Sequence, residues 1–205
     1  MNQIRPIDLP EKEISLRLAE VKNNPQLWDY PSDIAGEPPR PAAVLIPLLT
    51  KNNSYNLLFT RRTGNLPEHS DQVAFPGGQT DMDDTSPEDT ALREAREEIG
   101  LQPEDVNILG RLDQIQTITN YLVTPVVGII PWPYTFQIAT NEVSRVFTIP
   151  IAWLANPKNH EVRERALPLP YPPVPVIYFK RYEDELLWGI TAQITIDLLK
   201  ALKIF

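Results

Sequence analysis

The spacing of apolar residues divides the chain into strands that alternate with a few helices. Short apolar runs predict β-strands at residues 42–49, 55–60, 106–112, 121–130, 143–149 and 176–181. Apolar residues that recur at helical spacing predict helices at residues 11–24, 86–99 and about 190–202. This order indicates an α/β fold in which a mixed β-sheet is flanked by helices. We expect residues 1–35 to form an N-terminal helical extension packed on one domain that spans residues 36–205.

The helix at residues 86–99 has the clearest signals at both ends. Ser86 is a good N-cap, Pro87 fits the first helical position, and Asp89 follows the cap by three residues. Gly100 supplies the residue that can adopt the left-handed conformation after a helix. We therefore expect a stable helix that starts shortly after a pair of glycines.

Three glutamates lie on one side of this predicted helix. Glu94, Glu97 and Glu98 fall within an arc about 100° wide, and the apolar residues of the helix occupy another arc. Like charges at this spacing repel each other by a few tenths of a kcal/mol per pair, so the arrangement favours a bound cation. Carboxylate oxygens are suitable ligands for Mg²⁺ or Mn²⁺. The alternative is a solvated acidic helix face, which the glycine pair at a fixed distance before the helix disfavours.

Arg93 lies beside the glutamates and is long enough to reach back to Asp84 or Asp81. Such a contact would tie the preceding loop to the helix. The segment Pro76-Gly77-Gly78 is predicted to be a tight turn that lets the backbone approach the metals. The carbonyl of Gly77 is therefore a further candidate ligand.

Composition limits the possible partners and the compartment. The formal net charge of −8 disfavours nonspecific binding to nucleic acid or to an anionic membrane. The chain has no cysteine, which excludes thiolate chemistry and is consistent with the cytoplasm. Its 22 prolines include a cluster at Pro168–Pro175, which is either a stiff loop or a polyproline ligand. We expect a cytoplasmic monomer or homodimer that does not bind nucleic acid and does not cross a membrane.

The segment from Gly78 to Leu101 resembles the conserved box of the Nudix hydrolases. Gly78 opens the box, and its second half is matched by Arg93, Glu94, Glu97, Glu98, Gly100 and Leu101. Asp84 stands in place of the first box glutamate, and the spacer to Arg93 is one residue longer. The resemblance implies an α/β/α sandwich and hydrolysis of a nucleoside diphosphate derivative with Mg²⁺ or Mn²⁺.

The resemblance also implies roles for the residues of the box. Glu94, Glu97 and Glu98 would be metal ligands together with the carbonyl of Gly77. Glu94 or Glu98 would deprotonate the attacking water, and Arg93 would orient the carboxylates through Asp84.

Residues upstream of the box look like the coenzyme A pyrophosphatase subfamily. The matching segments are Leu58–Thr63 and His69–Gly78. Pro67 and Asp71 depart from that pattern, which has arginine and glycine at these positions. The subfamily implies coenzyme A or its thioesters as substrate, with 3′,5′-ADP and 4′-phosphopantetheine as products. The alternative is ADP-ribose, NADH or another dinucleotide.

Residues outside the box are candidates for contacting the substrate, namely Arg61, Arg62, His69 and Glu142. Each of these residues also has an alternative role. One of the two arginines would be solvated, His69 would close a turn, and Glu142 would be a metal ligand, a base or a surface residue. Tyr171 and Tyr178 would stack on adenine or pack in the core.

A protein of another functional class, a catalytically silent Nudix-type sensor of nucleotides, remains an alternative. Such a sensor usually lacks box carboxylates, whereas all three glutamates of the helix are present here.

Overall fold

The computed structural model describes residues 9–22, 38–64, 72–167 and 172–204. The helices are α1 (Glu11–Ala19), α2 (Pro87–Ile99), α3 (Ile151–Leu154) and α4 (Gly189–Ala201). The strands are β1 (Arg40–Lys51), β2 (Ser54–Arg62), β3 (Val73–Ala74), β4 (Gly77–Gln79), β5 (Asn107–Arg111), β6 (Ile115–Gln116), β7 (Tyr121–Ile129), β8 (Val143–Pro150), β9 (His160–Arg165) and β10 (Val174–Phe179). Within these residues, no helix is long and apolar enough to span a bilayer.

The main sheet is mixed, as the sequence predicts. Strand β1 pairs in parallel with β7 and antiparallel with β2 and β4. Strands β8 and β3 pair with β2, whereas β5 and β6 pair with β7. Strands β9 and β10 form a separate two-stranded sheet.

Apolar clusters cover both faces of the main sheet. The larger cluster includes Ile14 and Leu18 of α1 together with Leu198 and Leu199 of α4. The smaller cluster forms under α2, where Ala91, Ala95 and Ile99 are fully buried. The chain therefore has the predicted α/β/α arrangement.

Strand β2 contributes side chains to both clusters because successive residues of a strand point to opposite faces. Leu57 and Phe59 belong to the larger cluster, and Leu58 belongs to the smaller one. This alternation places the next pair, Arg61 and Arg62, on opposite faces of the sheet.

Helix α1 is shorter than predicted. It ends at Ala19, and Val21 packs against the larger cluster from the turn that follows. Leu18 fits closely against Gly110 of β5, where an added Cβ would lie 2.9 Å from the Cβ of Leu18. The helix was predicted to be too long because Val21 continues the apolar spacing. Val21 is packed from a turn, and its burial does not require a helix.

Gly77 is in a strand and not in the predicted turn. It pairs with Val44 as part of β4, and a Cβ at this position would lie 2.4 Å from the carbonyl oxygen of Ala43. The glycine is needed here because the two backbones approach too closely for any side chain.

The hairpin of β9 and β10 was not predicted as a pair. Strand β9 has the sequence His-Glu-Val-Arg-Glu-Arg, so it lacks the alternation of apolar residues that indicates a strand. Its partner β10 runs antiparallel to it from Val174 to Phe179. The proline cluster falls at this hairpin connection, of which residues 168–171 are outside the described part.

Candidate active site

Helix α2 is fixed at both ends by the residues that the sequence indicates. The side chain of Ser86 accepts a hydrogen bond from the backbone N–H of Asp89 at 3.2 Å. Gly100 ends the helix with a φ of 70°, in the left-handed region. The glutamates of the helix are thus presented on a rigid element.

Arg93 connects the helix to the loop that precedes it. Its Nε and Nη2 donate to the carboxylate of Asp84 at 3.1 and 2.9 Å, as the sequence predicts, and Nη2 also donates to the carbonyl of Gln79 at 3.0 Å. Its Nη1 donates to Glu94 at 2.9 Å and to Glu97 at 3.1 Å. One guanidinium therefore orients the loop and two of the predicted ligands.

The contact with Arg93 lowers the pKa of Asp84. The guanidinium of Arg93 holds the pKa of Asp84 at about 2, below its ordinary value of 3.8, against the smaller opposing effect of burial. The same contact raises the pKa of Arg93. The pair is therefore ionised at any physiological pH.

Glu98 is the most buried carboxylate of the site. Its side chain is 3% exposed, and its Oε1 lies 3.5 Å from Nη1 of Arg62. Its Oε2 has no hydrogen-bond partner within the described part of the chain. Burial raises the pKa of Glu98 to about 8, although Arg62 acts in the opposite direction; Glu94 and Glu142 raise it further.

Glu94 packs directly against the backbone of Gly78. A Cβ at Gly78 would lie 2.5 Å from Oε1 of Glu94, so the glycine leaves the space that the carboxylate occupies. Burial raises the pKa of Glu94, the contact with Arg93 lowers it, and the charges of Glu97 and Glu142 raise it again. Glu94 and Glu98 therefore both respond to the charge of Glu142.

Glu142 is brought to the helix by the loop that precedes β8. The N–H groups of Gln137 and Ala139 donate to the carbonyls of Ile99 and Glu98, each at 2.9 Å. These bonds satisfy carbonyls at the end of α2, which have no partner within the helix. The fold thus gathers Glu94, Glu98 and Glu142 from a helix and a distant loop.

Other predicted site residues lie apart from this group. The side chain of Glu97 is 53% exposed and contacts Arg93. Arg61 is on the opposite face of the sheet, where it contacts Glu185 at 3.7 Å. Tyr178 stacks on Trp188, with ring centroids 5.4 Å apart. His69, Pro67, Asp71 and Tyr171 lie outside the described residues.

Comparison with known proteins identifies the family. The model of the NUDIX domain matches residues 38–169, more than half of the chain. The chain belongs to the Nudix family. It is 39% identical over 168 residues to "Uncharacterized Nudix hydrolase NudL" of Escherichia fergusonii and of Escherichia coli K12, covering 78% of this chain and 81% of each relative. The protein of the same name from Yersinia pestis is 38% identical over 156 residues, 76% of either chain.

A solved structure supports the fold alone. The MutT/nudix family protein from Enterococcus faecalis superposes with a TM-score of 0.50 at 17% identity, covering 87% of this Nudix chain and 65% of that one. Together with the named relatives, the family assigns this chain as a Nudix pyrophosphohydrolase that acts on nucleoside diphosphate derivatives. Nudix hydrolases generally use divalent metal ions.

The acidic residues of this Nudix hydrolase fit such an ion. In the part of the chain that the structure describes, no three acidic or histidine side chains are already positioned around one metal-binding point. The buried Oε2 of Glu98 nevertheless lacks a partner, and the pKa values of Glu94 and Glu98 are both raised. The cluster is therefore deficient in positive charge, and its oxygen donors are those that Mg²⁺ and Mn²⁺ prefer.

Sequence reasoning did not single out Glu185, which lies with Arg61 on the opposite face of the sheet. Glu185 contacts Arg145, 40 residues earlier in the chain, and also Arg61. No local spacing could indicate a contact between elements so distant in sequence.

Proposed function

We propose that this chain hydrolyses the pyrophosphate bond of coenzyme A or its thioesters, with release of 3′,5′-ADP and 4′-phosphopantetheine. The observation that supports hydrolysis is the cluster of Glu94, Glu98 and Glu142 beside β4. The resemblance of Leu58–Thr63 and of the segment before Gly78 to coenzyme A pyrophosphatases supports the choice of substrate.

Glu94 and Glu98 would hold the divalent ions, with Glu97, Glu142 and the carbonyl of Gly77 as further ligands. When bound, these ions supply charge neutralisation at the phosphates and make water more acidic. Arg93 keeps Glu94 and Glu97 in place through its bond to Asp84. It therefore acts as a positioning residue.

Proton transfer would fall to Glu98 or Glu94. A carboxylate is an effective general base when its pKa is near the working pH, and burial shifts Glu98 in that direction. Arg62, which lies 3.5 Å from Glu98, would contact a phosphate of the substrate. His69 remains a prediction as a substrate contact.

The test is turnover of a substrate panel with Mg²⁺ and with Mn²⁺, followed by product identification. The panel contains coenzyme A, an acyl-coenzyme A, ADP-ribose and NADH. We expect coenzyme A to have the highest kcat/KM and to yield 3′,5′-ADP, whereas a preference for ADP-ribose would overturn the choice of substrate.

Variants connect this activity to the cluster. Glu94→Gln and Glu98→Gln should each lower kcat by orders of magnitude. Glu104→Gln is the matched control because Glu104 is exposed and lies beyond the end of α2. Equal turnover by the three variants would contradict the proposed site, and tight nucleotide binding without any turnover would favour the sensor alternative.

A further inference from the structure

Glu185 is a buried carboxylate that joins two arginines from neighbouring strands. Its side chain is 3% exposed, and it contacts Arg145 at 3.0 Å and Arg61 at 3.7 Å. Arg61 and Arg145 are direct partners in the register of β2 and β8. Like charges at such positions repel each other, so the shared carboxylate holds the two guanidiniums side by side.

The arginine pair, Arg61 and Arg145, lies close to the hydrolytic residues in the fold. Arg61 directly precedes Arg62, whose guanidinium contacts Glu98. Arg145 follows Glu142 by three residues, which is about 10 Å along a strand. The pair is therefore at the same end of the sheet as the carboxylate cluster, on its opposite face, where β2 ends.

The arginine pair is accessible to a ligand. The side chains of Arg61 and Arg145 are 38% and 45% exposed, although both contact a buried acid. Arg145 also lines a groove of about 550 Å³ together with Phe147 and Tyr182. Its other acidic contact, Glu183 at 3.5 Å, is 63% exposed and could move aside.

Guanidinium groups bind phosphate through paired hydrogen bonds with fixed geometry. We propose that Arg61 and Arg145, oriented by Glu185, bind the phosphomonoester on the ribose of the substrate. This inference rests on the proposed function, because coenzyme A carries such a phosphate in addition to its pyrophosphate. The pyrophosphate would lie at the carboxylates and the nucleoside beside the groove that Arg145 lines.

The experiment compares coenzyme A with dephospho-coenzyme A, which lacks only the ribose phosphate. Arg61→Gln and Arg145→Gln should each lower the ratio of kcat/KM for coenzyme A to that for dephospho-coenzyme A by about tenfold or more. Arg163→Gln is the matched control, since Arg163 is 61% exposed and, within the described residues, its side chain contacts Glu161 and Tyr178. An unchanged ratio in both pair variants would overturn the inference. If the ratio stayed unchanged because kcat/KM fell equally for both substrates, the pair would only anchor the turn around Glu185.

A binding measurement on the wild-type protein separates this inference from the proposed function. By calorimetry, the wild-type protein should bind 3′,5′-ADP at least about tenfold more tightly than 5′-AMP, and Arg145→Lys should reduce that preference. If coenzyme A were not hydrolysed but this preference held, the choice of substrate would fail and the phosphate site would stand. Equal affinity for the two nucleotides would overturn the site.

Discussion

Replacing Glu98 by glutamine should have opposite effects on stability and on activity. Glu98 is buried, its Oε2 has no hydrogen-bond partner among the residues that the structure describes, and its pKa is raised from an ordinary 4.5 to about 8. The folded protein therefore holds a proton on this group at pH values where the unfolded chain has released it. Stability must then fall as pH rises from about 4.5 to about 8, because the unfolded state binds fewer protons over this range.

The size of the effect follows from the same values. One pKa unit corresponds to about 1.4 kcal/mol, so the ionised Glu98 destabilises the metal-free protein by about 5 kcal/mol above pH 8. Glutamine has nearly the same shape and no charge. Below about pH 4 the two proteins should therefore differ by a constant amount, and between about pH 4 and pH 8 the stability of Glu98→Gln relative to the wild type should rise by several kcal/mol.

Urea unfolding in the presence of a chelator at pH 5, 6, 7 and 8 measures this difference. Glu97→Gln is the control, since the Glu97 side chain is 53% exposed and should show no such gain. Adding Mn²⁺ at pH 8 should stabilise the wild type, by about 3 kcal/mol at a hundredfold excess over the Kd, and should stabilise Glu98→Gln much less. If the difference between wild type and Glu98→Gln were independent of pH, the reasoning from burial would be refuted.

Other variants test the contacts around the cluster. Gly78→Ala should lower kcat at least about tenfold in the panel assay, because its Cβ would displace the carboxylate of Glu94; wild-type turnover would show that the close packing is not needed. Asp84→Asn should reduce the loss of stability that the wild type shows as pH falls from about 4 to about 2, since Arg93 holds the pKa of Asp84 at about 2. Acid unfolding followed by circular dichroism checks this, and identical acid transitions would contradict it. Leu18→Ala should cost about 3 kcal/mol in urea unfolding and leave turnover intact, so that a loss of kcat would indicate an unforeseen link between α1 and the site.

Local rules predicted the features of this chain that depend on neighbouring residues. Ser86 and Gly100 gave the limits of α2, and the length of an arginine side chain was sufficient to predict the contact of Arg93 with Asp84. The longer strands of the main sheet, β1, β2, β5, β7 and β8, were found because their apolar runs are long and lie between turn residues.

The features that sequence did not show depend on contacts between distant elements. A helical wheel treats Glu97 and Glu98 alike, but Glu98 is buried beside Arg62 and Glu97 is largely in solvent. Likewise, Gly77 belongs to a strand because β1 lies beside it. Strand β9 was missed because hydrogen bonding to β10, and not burial of apolar side chains, makes it a strand.

The hydrogen bonds from Gln137 and Ala139 to the end of α2 divide the connection between β7 and β8 into two unequal parts. Before Gln137 the connection packs Trp132, Tyr134 and Phe136 against the smaller cluster, so an insertion there leaves the two bonds in place only if it keeps this packing. An insertion between Ala139 and Glu142 would shift that acid relative to Glu98 by up to 3.8 Å, the spacing of consecutive Cα atoms. A change of length between Ala139 and Glu142 should therefore disturb the site directly, because it moves Glu142 while the end of α2 stays fixed.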